Sequence, residues 1–471
     1  MKVTTRNFDD NARRALADNK LQAALARLAT GFPVKRVEAR DRLPEFDALC
    51  DAARDLKNHV LANLDTYLEQ YETRVLESGG RVHWARDAKE AREIILGICR
   101  DAGAKTVTKG KSMITEEIGV NEYLEENGVR PVETDLGEYI IQLRREAPSH
   151  LIAPAIHLSK DQIADSFRHS HGQLDAARPL EEPRKLLEEA RAILRREFLT
   201  ADVGITGANM LIAETGSSVI VTNEGNGDLT QTLAKTHIAV ASIEKVVPTL
   251  EDAATILRVL ARSATGQDIT VYTTFSTGPK RAEDTDGPEN YHVVLLDNGR
   301  SEMLRGPFRE MLRCIRCAAC LNSCPVYKSI GGHAYGWVYS GPMGSVLMPN
   351  LLGLGETLAL PNASTLCGKC EDVCPMRIPL PRLLRTLRDR QFAAGKGGWV
   401  GRLALKSWAR LARWPALYHL IMGIGVAAAA RLGRNQGRFK HLPIMGGWTG
   451  ARDLPAPEAR TFMSQWRRRN K

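Results

Sequence analysis

The sequence predicts an α/β domain with a largely parallel sheet, preceded by helices and followed by an all-α module and a basic helical tail. Three observations carry this reading. Strand-like and helical runs alternate between about residues 82 and 296. Seven of the nine cysteines fall between Cys314 and Cys374, among helical segments. The positive charge is confined to the end of the chain.

The elements follow in order. Residues 1–75 are helical: Asn11–Leu28 is rich in Ala, Leu and Arg, and Phe46–Leu76 carries apolar residues at helical spacing with few breakers. Residues 76–300 form the α/β domain. Asp87 is an N-cap acceptor for a helix over Asp87–Ala102, with Glu90 three residues on. A strand over Lys105–Thr108, a helix over Gly119–Asn127 stopped by Gly128, and a strand over Val129–Glu133 come next. Leu180–Phe198 is a charged helix of strong propensity. Strands are expected at Asp202–Thr206, Met210–Glu214, Ser218–Thr222, His237–Ser242, Ile269–Thr274 and Tyr291–Leu296, with a helix at Glu251–Ser263. Residues 301–394 hold the cysteine motifs. Gly395–Gly398 begins a tail over 395–471.

A 471-residue chain is long enough for several domains, and 43% apolar residues make it globular rather than disordered. Its net charge of +10 divides unevenly. From Lys396 onward there are fifteen Lys or Arg against two acids, a balance of +13, which leaves −3 on the preceding residues. A slightly acidic body argues against a nucleic-acid-binding fold. Met1–Lys20 is polar and has no apolar signal core, so the expected location is cytoplasmic. There the clustered cysteines are reduced metal ligands rather than disulfides. Cys50 and Cys99 sit in helical patterns and are expected to be buried.

The first motif is Cys314-Ile-Arg-Cys317-Ala-Ala-Cys320-Leu-Asn-Ser-Cys324-Pro325. This is the C-x2-C-x2-C-x3-C-P run of bacterial ferredoxins. Three thiolates two residues apart wrap one cubane, and the fourth leaves the loop for a second cluster. The second motif, Cys367-Gly-Lys-Cys370-Glu-Asp-Val-Cys374-Pro375, lacks its first Cys, and Ser364 stands in that place. By the crossover rule one cluster takes Cys314, Cys317, Cys320 and Cys374. The other takes Cys324, Cys367 and Cys370. It is either [3Fe–4S], or [4Fe–4S] with Ser364 or water as fourth ligand. The 42 residues between Cys324 and Cys367 exceed the connection in small two-cluster ferredoxins. With the basic helix Leu380–Gln391 that follows, the module resembles the α-helical ferredoxin part of succinate dehydrogenase iron–sulfur subunits. Arg382, Arg385 and Arg388 are expected to dock an acidic partner.

Two nucleotide motifs fail. Lys109-Gly110-Lys111-Ser112 ends like a P-loop, but Lys105 stands where its first Gly belongs. Gly225-Asn226-Gly227 starts like a dinucleotide fingerprint, but Thr230 ends it and no strand is read directly before a clean helix. What remains is a polar set at strand ends: Asn209, Glu214, Thr215, Asn223 and Glu224. It is either a ligand pocket built from short side chains and backbone amides, or ordinary turn chemistry.

Together, Val107-Thr-Lys-Gly-Lys-Ser-Met113, the run Asp202–Asp228 and the two cysteine motifs resemble the lactate utilization protein B family over roughly residues 1–395. The resemblance implies a sugar-isomerase or CoA-transferase-like fold for the α/β part. It implies electron transfer by two iron–sulfur clusters during oxidation of L-lactate to pyruvate. It implies two partners, a Cys-rich redox subunit and a smaller protein with a related α/β domain. The family's ligands map onto Cys314, Cys317, Cys320, Cys324, Cys367, Cys370 and Cys374, three-plus-four there too, so Ser364 is no local defect. No catalytic residue and no electron acceptor come with it. Two rival readings stand beside this one: an α/β domain that itself oxidises a 2-hydroxy acid beside an open-site cluster, and a sensing or scaffold protein with structural clusters.

The histidines His150, His157, His169 and His171 have no companion carboxylate at ligand spacing and are expected in surface loops or helices. In the tail, Trp414–Ala430 is nearly uncharged, and Trp399, Trp408, Trp414 and Trp448 interleave with Lys and Arg. That pattern suits the surface of an anionic membrane or a partner.

Overall fold

A computed structural model describes residues 3–110, 112–175, 177–396, 398–433, 437–442, 449 and 453–470. Lys111, Gly397 and Trp448, which the sequence reading used, lie outside them. The chain divides into two compact units, Met1–Gln391 and Phe392–Lys471.

The first unit is built on ten strands: β1 (Arg81–Ala85), β2 (Thr106–Lys109), β3 (Arg130–Glu133), β4 (Val203–Gly207), β5 (Met210–Ile212), β6 (Ser217–Thr222), β7 (Thr236–Ser242), β8 (Val246–Val247), β9 (Tyr272–Ser276) and β10 (Asn290–Leu296). Six of them form a sheet in the order β1-β10-β7-β4-β2-β3, every neighbouring pair parallel. Helices lie on both faces, as buried parallel strands require. Ile95, Leu96 and Cys99 cover one face, and Leu68, Tyr71 and Val75 the other. Asp87 caps the helix Ala88–Asp101 by accepting from the backbone N–H groups of Lys89 and Glu90.

The other four strands make a second sheet, β8-β5-β6-β9. Here β6 runs antiparallel to β5 and β9, while β5 and β8 are parallel. Local strand patterns do not reveal which sheet a strand joins, so this split was not foreseen. The segment β6 also leads straight into the helix Asn226–Leu233, with Gly225 left-handed at its start (φ 70°). A strand does therefore precede that helix, contrary to the sequence reading. The helix rests on β4 at Gly204, where any Cβ would meet the Thr230 carbonyl oxygen at 1.9 Å.

The N-terminal helices Phe8–Ala17, Asn19–Thr30, Phe32–Asp41, Phe46–Ala62 and Leu64–Glu77 confirm the helical start. They share one apolar core with the cysteine module: Phe8, Leu25, Phe46 and Cys50 pack in the same cluster as Cys317, Tyr327 and Tyr335. Arg36 donates to the Val373 carbonyl at 2.8 Å, and Gln22 to the Ser329 carbonyl at 2.9 Å.

The basic face of Leu380–Ala393 is largely committed within the fold. Arg382 pairs with Glu310, Arg388 donates to the carbonyls of Pro361 and Ser364, and Arg390 stacks over Phe308 at 4.6 Å. Arg382 and Arg388 are therefore engaged inside the unit rather than held ready for a partner. The histidines correct another expectation. His150 is buried against Asn322, and His171 is buried between Tyr139 and Glu189. Only His169 of the four is exposed.

The second unit contains the helices Trp399–Ala412, Pro415–Gly433 and Phe462–Arg469, and a short antiparallel pair, Arg438–Phe439 with Leu454–Pro455.

Candidate iron–sulfur centre and adjoining cavity

The loop from Cys314 to Cys320 turns sharply because Arg316 and Ala318 both sit in the left-handed region, at φ 61° and 62°. This brings Cys314, Cys317 and Cys320 around one hollow, and Cys374 reaches it from the far motif. Apart from Arg316 the remaining wall is apolar and includes Met311, Met343, Met376, Ile378 and Leu380. Burial and then the neighbouring Cys374 sulfur push the Cys317 thiol up to about 12. Cys320 is raised well above the ordinary range by burial and by Cys314, Cys317, Cys374 and Cys370. Cys374 is pushed to about 11, first by burial.

Cys324, Cys367 and Cys370 form a second neighbourhood. Cys370 is pushed up to about 12 by burial, with Cys324 and Cys367 adding to it. Cys367 is exposed, and its thiol is lowered by hydrogen bonds from the Thr365 hydroxyl and the Lys369 N–H. Ser364 stands nearby, and its Oγ accepts from the Leu366 N–H at 3.1 Å.

The donor set fits iron–sulfur clusters. Buried thiols that resist ionisation at neutral pH are stable as thiolates once iron compensates their charge. Three cations add to that compensation. Arg36 and Arg313 are buried beside Cys374, and Arg316 lies largely covered next to Cys314.

Beside this module lies a cavity of about 450 Å³. It opens at the carboxyl ends of β2, β4 and β7. Ser112 follows β2, Gly207 ends β4 with Ala208 and Asn209 after it, and Ser242 ends β7 with Lys245 three residues on. After β2 the chain goes out to β3 and returns as β4 on the other side, so the strand order reverses here. Open α/β sheets bind ligands at such a point. Gly207 makes the close approach possible, since a Cβ there would lie 2.8 Å from Ser112 Oγ. The opposite wall is Arg316, Cys317 and Tyr339 of the cysteine module.

Of the pocket residues read from sequence, Asn209, Asn223 and Glu224 line this cavity. Asn209 is tied to β6 through Val221, and Asn223 to Gln267. Glu214 and Thr215 stand apart at the β5–β6 turn. Glu214 accepts from the Leu250 N–H at 3.2 Å, and Thr215 donates to Ser217 at 2.8 Å. Thr222 and Asn226, from the same polar run at the end of β6 as Asn223 and Glu224, also line the cavity. Sequence reasoning missed Lys245 and Arg316, although Arg316 lies inside the first cysteine motif. Lys245 carried no signal, because only the fold brings it there. Burial and the nearby Arg316 push its ammonium down to about 8.

Residues 68–296 match the model of the LUD domain, and residues 310–378 match that of the 4Fe-4S dicluster domain. A lactate utilization protein B of Lysinibacillus sphaericus is 42% identical over 475 residues, covering all of this chain and 98% of the relative. The chain belongs to the lactate utilization protein B family. The Bacillus subtilis family member is 42% identical, with 98% of this chain and 96% of that protein covered. An uncharacterized electron transport protein of Escherichia coli is 41% identical over 99% of this chain and 98% of its own length. A DUF162 family protein of Deinococcus radiodurans, solved as a crystal structure, matches 50% of this chain and 98% of its own at 15% identity, with a TM-score of only 0.26. Membership in the family makes this an iron–sulfur protein of lactate utilization.

Proposed function

We propose that the chain is the iron–sulfur electron-transfer subunit of an assembly that oxidises L-lactate to pyruvate. The observation that supports this is the gathering of four thiols around one hollow beside three others, of which Cys367 reaches the surface. Cys320 and Cys370 interact between the groups, so a path leads from the interior outward. In this reading Cys314, Cys317, Cys320 and Cys374 hold a [4Fe–4S] cluster. Cys324, Cys367 and Cys370 hold a [4Fe–4S] or [3Fe–4S] cluster whose remaining corner falls to Ser364 or water. Such clusters supply one-electron transfer.

The chain's own residues prepare that chemistry. Arg36, Arg313 and Arg316 offset thiolate charge, the Met and Leu wall excludes water, and Thr365 fixes Cys367. Lactate gives up two electrons at once, so a two-electron acceptor belongs to the assembly as well. The partners in this reading are a Cys-rich redox subunit and a smaller LUD-domain protein. The assembly is cytoplasmic, with the second unit resting on the inner face of the membrane.

Anaerobic reconstitution, iron counting and redox titration followed by electron paramagnetic resonance test the proposal. Two clusters that cycle reversibly are expected, with no lactate-dependent dye reduction by the chain alone. Clusters that never change state would sink the carrier reading, and turnover by the isolated chain would make it an enzyme instead.

A further inference from the structure

The cavity between the strand ends and the Cys317 loop contains polar groups for which the fold offers no partner. Asn226 is 4% exposed, and neither its side-chain oxygen nor its nitrogen is hydrogen-bonded. Thr222 is 9% exposed, and its hydroxyl is also unpartnered. A polar group buried without a partner is costly, so native proteins keep few of them without a use. Both line the cavity.

Two cations line it too. Lys245 makes no ion pair or hydrogen bond among the described residues. Among the described residues the Arg316 guanidinium comes no closer to a carboxylate than 3.6 Å, at Glu244 Oε1, a loose ion pair beyond hydrogen-bond distance. Of the acids on the lining, Asp135 directs its carboxylate to the N–H groups of Gly137 and Glu138, and Glu224 lies exposed. The rest of the wall includes Ile114, Leu136, Leu151, Ile152 and Leu260. Fixed positive charge, neutral hydrogen-bonding groups and an apolar wall together match a small organic acid anion with a second oxygen function.

We propose that this cavity binds a 2-hydroxy or 2-oxo monocarboxylate, with Lys245 and Arg316 supplying the charge and Asn226 and Thr222 the neutral hydrogen bonds. The choice of acid rests on the lactate-utilization reading above. The site is placed at the four-thiol group, through Arg316 and Cys317, and not at the three-thiol group.

Equilibrium dialysis of the full chain with its clusters reconstituted tests this, using labelled L-lactate and pyruvate with acetate and inorganic phosphate as competitors. Saturable one-site binding of lactate or pyruvate is expected, displaced by the other acid and little affected by phosphate. Lys245→Met and Asn226→Ala should each weaken it at least tenfold while iron content and circular dichroism stay unchanged. Lys245→Arg keeps the charge and should keep most of the binding, which separates recognition from simple damage to the fold. No saturable carboxylate binding, tighter binding of phosphate, or variants that bind like the parent chain would overturn the assignment. Binding is read on oxidised protein without turnover, so it can fail while the clusters still cycle, and it can succeed if they do not.

Discussion

Arg300 grips Glu117 through two parallel hydrogen bonds, Nη1 to Oε1 at 2.9 Å and Nη2 to Oε2 at 2.7 Å, with both side chains completely buried. Tyr339 of the cysteine module donates to the same carboxylate at 2.6 Å. Arg300 Nε also lies 3.0 Å from Glu244 Oε2, close enough to pair but not aligned as a hydrogen bond. Glu244 in turn faces Arg316. This buried chain of charges joins the parallel sheet to the cluster loop. Breaking such a pair leaves a charge with no partner, at a cost of about 3–5 kcal/mol. Glu117→Gln should therefore lower stability by that order, read by chemical denaturation, and should disturb the spectrum of the Cys314–Cys320 cluster. A stability change within a few tenths of a kcal/mol would show that the network is dispensable.

Charge compensation at the four-thiol group gives a second expectation. Arg36 is buried, and its positive charge acts on Cys317 and Cys374. Reduction adds a negative charge, which a nearby cation favours. Arg36→Met should lower the reduction potential of that cluster and leave the other unchanged. Equal shifts at both clusters in a redox titration would contradict the thiol partition.

Ser364 occupies the missing first position of the second motif, where a thiolate would complete a four-cysteine set. Ser364→Cys should stabilise a four-iron cluster against loss of iron in air and shift its potential downward as thiolate charge is added. Ser364→Ala separates the two candidates for the fourth corner. Unchanged iron content and resonance signals leave it to water, whereas loss of iron assigns it to the serine oxygen.

Sequence spacing reached what is local. The cap at Asp87, the stop at Gly128 and both cysteine motifs each depend on residues only a few positions apart. Five of the six strands of the parallel sheet were also legible as short apolar runs between turns; the edge strand β1, half exposed and carrying Arg81 and His83, was not. Three further features were not. Lys245 and Arg316 meet only because β7 ends beside the cysteine loop. Glu117 and Arg300 are 183 residues apart, and nothing local to either marks the other as its buried partner. The N-terminal helices gave no sign that their apolar faces pack on the cysteine module, because helical periodicity names a buried face and not its partner.

Lys57 predicts a pH dependence. It is buried, donates to the Glu244 and Val246 carbonyls, and is pushed down to about 7 by burial. An unfolded lysine titrates near 10.4. Between these values the unfolded chain binds more protons than the folded one, so stability rises with pH through this window, by roughly 1.4 kcal/mol per unit at most. Below pH 7 the contribution is flat. Lys57→Met should remove this slope, seen as a denaturation midpoint that no longer increases from pH 7 to 10 relative to the parent chain. A slope unchanged by the substitution would assign it to other groups.

The second unit carries the last prediction. The helix Trp399–Ala412 buries none of its residues, and it sets Trp399, Leu403 and Trp408 among Arg402, Lys406 and Arg410. The helix Pro415–Gly433 is 19 residues long and apolar enough to cross a membrane by length and composition. Within this helix Leu420 and Ile424 are exposed. Apolar side chains anchor such a unit in a bilayer interface, and each basic residue near anionic lipid adds about 1 kcal/mol. The full chain should sediment with phosphatidylglycerol vesicles, far less with neutral ones, and less as salt is raised. Deleting residues 396–471 should abolish this while iron content and cluster signals persist. Persistent binding of the shortened chain would move the contact to the first unit, and loss of iron would show that the tail supports the cluster fold.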